Sequence, residues 1–117
     1  MRTIVVRTVA GGLCVVGAGA LVMPKTLAAV FGMPTEDATA IAYLRATAAR
    51  DAIIGGILLT TADDPRALRP VLLWSAAIGL VDSVLLASAR GPRPSHALHL
   101  GGFAAVALLA LTLLGDE

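Results

Sequence analysis

Asp51, Asp82 and His99 are the three side chains of this sequence best suited to move a proton, and each lies inside an apolar run. Arg50 directly precedes Asp51 in "YLRATAARDAIIGGILL", the same stretch holds Tyr43 and Arg45, and His96 stands three residues before His99. Carboxylates and imidazoles can take a proton from a substrate and return it elsewhere. A guanidinium beside them can orient a carboxylate or enolate oxygen. Asp82, Asp51 and His99 are therefore the expected catalytic groups, and Arg50, Tyr43, Arg45 and His96 the expected substrate-binding groups. Isomerisation, cyclisation and epoxide opening need no more than this set. No cofactor is expected, because no P-loop, dinucleotide fingerprint or nucleophile motif is present; the glycines of "GGLCVVGAGA" sit in an apolar run and read as packing residues. His96, His99, Asp82 and Asp51 could together hold a metal ion, but no His-Glu-x-x-His or cysteine pair supports that reading, and no metal is expected.

The elements that must position these residues are set by hydropathy. The chain has 117 residues, enough for one domain. It is 57% hydrophobic and 15% charged, with a mean hydropathy of +0.86, where a soluble domain carries about 25% charged residues. That composition implies an integral membrane protein with membrane lipid as a partner. A formal net charge of +1 and only four aromatic residues give no basis for binding nucleic acid. The single cysteine, Cys14, reads as a small buried hydrophobe.

Four apolar segments, about 4–23, 39–61, 67–89 and 95–114, each approach the ~20 residues that a helix needs to cross ~30 Å of hydrocarbon. In lipid the backbone must satisfy itself, so the expected fold class is all-α: a single four-span bundle over 1–117 with short loops. The first connection, "PKTLAAVFGMPTEDA", is longer and carries its own apolar patch, which suits an interfacial segment or a short extra helix. Ser95 reads as the N-cap of the last helix and Thr35 as a turn former. The first segment also has signal-peptide cues, Arg2 ahead of it and small residues in "GAGA", but three further spans follow it. Arg2, Arg7, Arg66 and Arg69 outnumber Lys25, Arg90 and Arg93 across the bilayer, which favours cytoplasmic termini. Small residues recur every four positions: Ala10, Cys14 and Ala18; Ala48, Ala52, Gly56 and Thr60; Ser75, Gly79, Ser83 and Ala87; Ala97, Gly101 and Ala105. Such rows let membrane helices approach closely and also allow a homo-oligomer.

Depth sorts the charges. From the side bearing the first and third loops, Arg45 is ~8 Å in, Arg50 and Asp51 ~15–17 Å, Asp82 ~10 Å and His99 ~6 Å. Arg45 is shallow enough to snorkel. Arg50, Asp51, Asp82 and His99 therefore fall in one half of the membrane, arriving from two or three helices depending on where the last one begins. Arg50 and Asp51 lie 100° apart on their helix and can face different neighbours, and the Thr47 hydroxyl is placed to donate to Asp51. Intramembrane charges face the bundle interior and pair. Three readings follow: a pocket for a small lipophilic molecule with acid–base groups, a non-enzymatic scaffold clamped by Arg–Asp pairs, and a dimeric proton-linked transporter.

"FGMP" at 31–34, the Arg-x4-Arg-Asp of "YLRATAARDAIIGGILL", "GLVDSVLLA" at 79–87 and a histidine at the head of the last helix together resemble small four-span bacterial membrane proteins catalogued as a domain of unknown function. The resemblance covers most of the chain. It implies a bacterial inner-membrane location and that Arg50, Asp51, Asp82 and His99 belong together, and it brings no activity. In size and span number the chain is also similar to small multidrug-resistance transporters. Those place an essential carboxylate in the first helix, which here has none.

Overall fold

The computed structural model describes residues 2–114, and the side chains of 3–112. Among them the chain forms five helices: α1 (Arg2–Val22), α2 (Pro24–Val30), α3 (Ala38–Thr61), α4 (Pro65–Ser88) and α5 (Arg93–Leu114). The four long ones start or stop within about two residues of the expected bounds. The fifth, α2, is the apolar patch of the first connection. α1, α4 and α5 are long and apolar enough to cross a membrane. α3 has the length, but any eighteen consecutive residues of it include Arg45, Arg50 and Asp51.

Local chemistry sets the boundaries. Pro24 suits the first position of α2, where its missing N–H costs nothing. α2 ends in a Schellman motif: Gly32 takes φ +78°, Met33 N–H donates to Ala28 O at 2.8 Å and Gly32 N–H to Ala29 O at 3.0 Å. α4 ends the same way around Arg90 (φ 54°), with Gly91 N–H on Leu86 O at 2.8 Å. Asp37 caps α3 by accepting from Ala40 N–H at 2.7 Å, and Thr35 Oγ1 accepts from Asp37 N–H at 3.1 Å, forming the expected turn. Asp64 caps α4, accepting from Arg66 and Ala67 N–H. Ser95 is not a cap. α5 begins two residues earlier, at Arg93, and the buried Ser95 hydroxyl donates to Phe31 O at 2.7 Å, tying α5 to the end of α2.

α1 lies against α3 and α4 against α5. α1 and α3 meet on small residues. A Cβ on Gly17 would stand 2.6 Å from Ala48 O, and one on Gly55 2.7 Å from both Ala10 O and Cys14 Sγ. The seam therefore runs Ala10, Cys14, Gly17 on α1 and Ala48, Ala52, Gly55 on α3. The strict four-residue rows drift off it: Ala18 is exposed and Gly56 has open space around it. At 3.6 residues per turn a step of four overshoots by 40°, and a step of three brings the row back. On α5 the row Ala97, Gly101, Ala105 is exposed, while Phe103 takes the contact with Gly79.

The core is off-centre. Val6, Ala10, Leu58, Leu68, Leu72, Ala76, Val106 and Ala110 fill the end of the bundle where α3 turns into α4. Toward the other end, near Phe31, Met33 and the α4–α5 turn, the two helix pairs part and leave space. Large apolar side chains such as Ile4, Val15, Ile53, Trp74 and Leu108 are exposed around the outside.

Candidate functional site: a polar cluster between two cavities

Where the helix pairs part, three helices place their charges together. Arg50 on α3 is the hub. Its Nη2 donates to Asp82 Oδ2 at 2.7 Å and to Asp51 Oδ1 at 3.0 Å, its Nη1 to Asp82 Oδ1 at 3.3 Å and its Nε to Asp51 Oδ1 at 3.1 Å. Asp82 comes from α4 and receives a forked, two-toothed grip, the strong geometry for a guanidinium and a carboxylate. Asp51 is adjacent in sequence and 100° round the helix, yet the guanidinium reaches it, because the long arginine side chain wraps back across its own helix. The two residues thus share one neighbour. His99 on α5 places Nδ1 3.7 Å from Asp82 Oδ2, an ion-pair distance and not a hydrogen bond.

The cluster is partly shielded: side-chain exposure is 34% for Arg50, 24% for Asp51, 19% for Asp82 and 27% for His99. Two cavities account for that exposure. The larger, about 520 Å³, opens beside Phe31 and Met33, just after α2, and has apolar walls that include Phe31, Leu44, Leu85, Leu86 and Leu98, with Asp51, Asp82 and His99 as its polar end. The second, about 340 Å³, runs toward the core between Ile54, Ile78 and Phe103, and also reaches Arg50. Both are lined by Asp51, Asp82 and His99, so the cluster stands as the partition between them. The second cavity ends at the packed core, and neither is lined by Cys14 or Trp74.

Of the seven expected site residues, Arg50, Asp51, Asp82 and His99 come together. Tyr43 lines the mouth of the larger cavity and is itself mostly exposed. Arg45 and His96 go elsewhere. Arg45 Nε donates to Leu21 O at 3.2 Å, at the end of α1, beside a separate groove. His96 lines neither cavity; its Nε2 is buried near Gly91 and, among the described residues, has no hydrogen-bond partner. Thr47 shares the cavity wall with Asp51, and among the described residues no hydrogen bond joins them. No group of three His, Cys, Asp or Glu among the described residues is placed to hold a metal. The apolar wall was the part not picked out in advance. Leu85, Leu86 and Ala89 follow Asp82 by three, four and seven positions, and that spacing alone puts them on its face.

Residues 10–114 match the family model described as a domain of unknown function, DUF4267, and the chain belongs to that family. It is the kind of family that "FGMP", "YLRATAARDAIIGGILL" and "GLVDSVLLA" resembled. No curated protein and no solved structure matches the chain.

Proposed function

We propose that this chain is a four-span integral membrane protein that holds a small lipophilic molecule in the cavity beside Phe31 and Met33, with the molecule's polar end against the Arg50–Asp51–Asp82–His99 cluster. The outward apolar surface suits lipid, and α3 crosses with Arg50 and Asp51 turned inward, as intramembrane charges are arranged, while Arg45 lies near its end. One observation carries the ligand reading: a cavity of about 520 Å³ has apolar walls and a single polar end. That lies within the ~300–1,000 Å³ range of small-molecule sites, and a mostly apolar lining with few convergent polar groups is their usual form. With Asp51, Asp82 and His99 at that end, the same site has the groups for cofactor-free acid–base turnover of an isomerase, cyclase or epoxide-opening kind.

The second reading is a non-enzymatic bundle in which the cluster is a clamp. It is favoured by Arg50 itself, since four of its N–H groups go to the two carboxylates. Organic extraction of the purified protein, with mass spectrometry of the extract, separates the two. A lipophilic compound retained by the native protein and lost from Thr47→Phe, which fills the cavity, is the expected result. Identical extracts from both, matching bulk membrane lipid, would leave the clamp.

A further inference from the structure

The cluster is unbalanced. Arg50 contributes one positive charge, Asp51 and Asp82 two negative ones, and with His99 neutral the sum is −1. A surplus charge between apolar walls is costly, because little solvent is there to stabilise it. Hydrogen bonding is unbalanced in the same sense. Arg50 has five N–H groups, and four are committed. Asp51 Oδ1 accepts twice, whereas among the described residues Asp51 Oδ2 accepts nothing. His99 makes no hydrogen bond through either ring nitrogen among the described residues, standing 3.7 Å from Asp82. Neither Asp51 Oδ2 nor the His99 nitrogens are among the buried atoms without partners, so they face open space, and both residues line the larger cavity. The cluster therefore offers the cavity unused acceptors and a negative charge, and almost no free guanidinium. A carboxylate or enolate would have to break the Arg50–Asp pairs to be held by Arg50.

We infer that the polar end of the ligand is a cationic hydrogen-bond donor: the site takes a lipophilic amine as its ammonium form, with the N–H groups on Asp51 Oδ2 and the His99 ring and the tail along Leu44, Leu85, Leu86 and Leu98. This rests on the reading of the cavity as a ligand site. It replaces the expectation that Arg50 orients an anionic substrate. A monocation brings the local charge to zero, and a charge-assisted hydrogen bond to a carboxylate is stronger than a neutral one.

The test compares probes with one tail and three heads: decylamine, decanol and decanoate. Binding to the protein in phosphatidylcholine nanodiscs is measured as the excess over empty nanodiscs, for the native protein and for Thr47→Phe. Decylamine binding about tenfold tighter than decanol, decanoate weaker still, and all excess lost in Thr47→Phe is the expected pattern. Asp51→Asn then removes the preference for the amine while decanol binding stays. Adding phosphatidylethanolamine shows the source of the ammonium group: competition with decylamine identifies a lipid headgroup, no competition a free amine, and either agrees with the inference. If the three probes bind alike and Thr47→Phe abolishes them all, the cavity holds ligands but the charge is balanced otherwise, as by a proton on His99, and the amine inference falls. If no probe shows an excess, or the excess survives Thr47→Phe, the cavity reading falls with it.

Discussion

Arg50 Nη2 and Asp82 Oδ2 stand 2.7 Å apart and form the polar bridge from α3 to α4, at the depth where the apolar core stops and the cavities begin. Arg50 also binds Asp51, so removing it leaves two neighbouring carboxylates without their cation. Breaking a buried pair from one side costs about 3–5 kcal/mol, and partial exposure here lowers that to about 1–3 kcal/mol for Arg50→Ala. Asp82→Asn keeps one acceptor and removes the surplus charge but turns an NH2 toward a guanidinium N–H, so its cost is about 1 kcal/mol, below that of Arg50→Ala. Thermal unfolding in detergent checks the order. Equal losses in the two variants, with ligand retention unchanged in both, would reduce the cluster to a clamp.

The α1–α3 seam makes an independent prediction. A methyl group at Gly17 would meet Ala48 O at 2.6 Å and Ala52 N at 2.8 Å, both backbone atoms that cannot turn aside. Gly17→Ala and Gly55→Ala are each expected to cost about 1–3 kcal/mol by forcing the helices apart. Gly12→Ala and Gly56→Ala place the methyl in open space. They are expected to be neutral or to stabilise by up to about 1 kcal/mol, the helix preference of alanine over glycine. Unfolding midpoints of the four variants, measured side by side, decide whether the seam lies on 10/14/17 and 48/52/55.

Much of this molecule was legible because the bilayer simplifies the reading. Length and hydropathy place four long helices, and a rise of ~1.5 Å per residue brings Arg50, Asp51, Asp82 and His99 into the same half of the membrane. What depth leaves open is rotation and reach. Arg45 and Tyr43 share a helix with Arg50, but Arg45 turns to the carbonyl of Leu21 and Tyr43 to the cavity mouth. The 100° between Arg50 and Asp51 leaves open whether they face different neighbours or pair, and the reach of the Arg50 side chain brings them together. Ser95 looks like a cap because it opens an apolar run. The helix reaches back through Pro94 to Arg93, since a proline fits a first turn whose N–H groups have no helical partner. That shift places the Ser95 hydroxyl against Phe31 O, a contact 64 residues away that no local pattern announces.

That contact seals the outer rim of the cavity. Phe31 lines it, and Gly32, at φ +78°, packs where a Cβ would lie 3.2 Å from Pro92. Ser95→Ala removes one hydrogen bond and leaves Phe31 O without its donor, at about 1 kcal/mol. Gly32→Ala adds backbone strain to a close contact and is expected to cost about 1–2 kcal/mol. Both should raise amide hydrogen exchange in α2 and in the first turn of α5 while exchange in the α3–α4 core stays slow. Uniform loss of protection across the bundle would show that α2 and the rim at Phe31 are not a separable unit.

Whether α3 spans is the remaining test of the architecture. Glu36 before α3 and Asp63 after it are both exposed, as is Arg90 after α4. If α3 and α4 both cross, Glu36 and Arg90 share one side and Asp63 lies on the other. The excess of arginines at Arg2, Arg7, Arg66 and Arg69 leads to the expectation that Asp63 is on the cytoplasmic side. In a Cys14→Ala background, an impermeant maleimide added to intact cells should label Glu36→Cys and Arg90→Cys, and Asp63→Cys only after permeabilisation. The reverse pattern would invert the orientation and leave the spans intact. Labelling of Glu36→Cys and Asp63→Cys from one and the same side would show that α3 does not cross. The charges would then lie at a membrane surface, where solvent, and not a ligand or a clamp, would satisfy them.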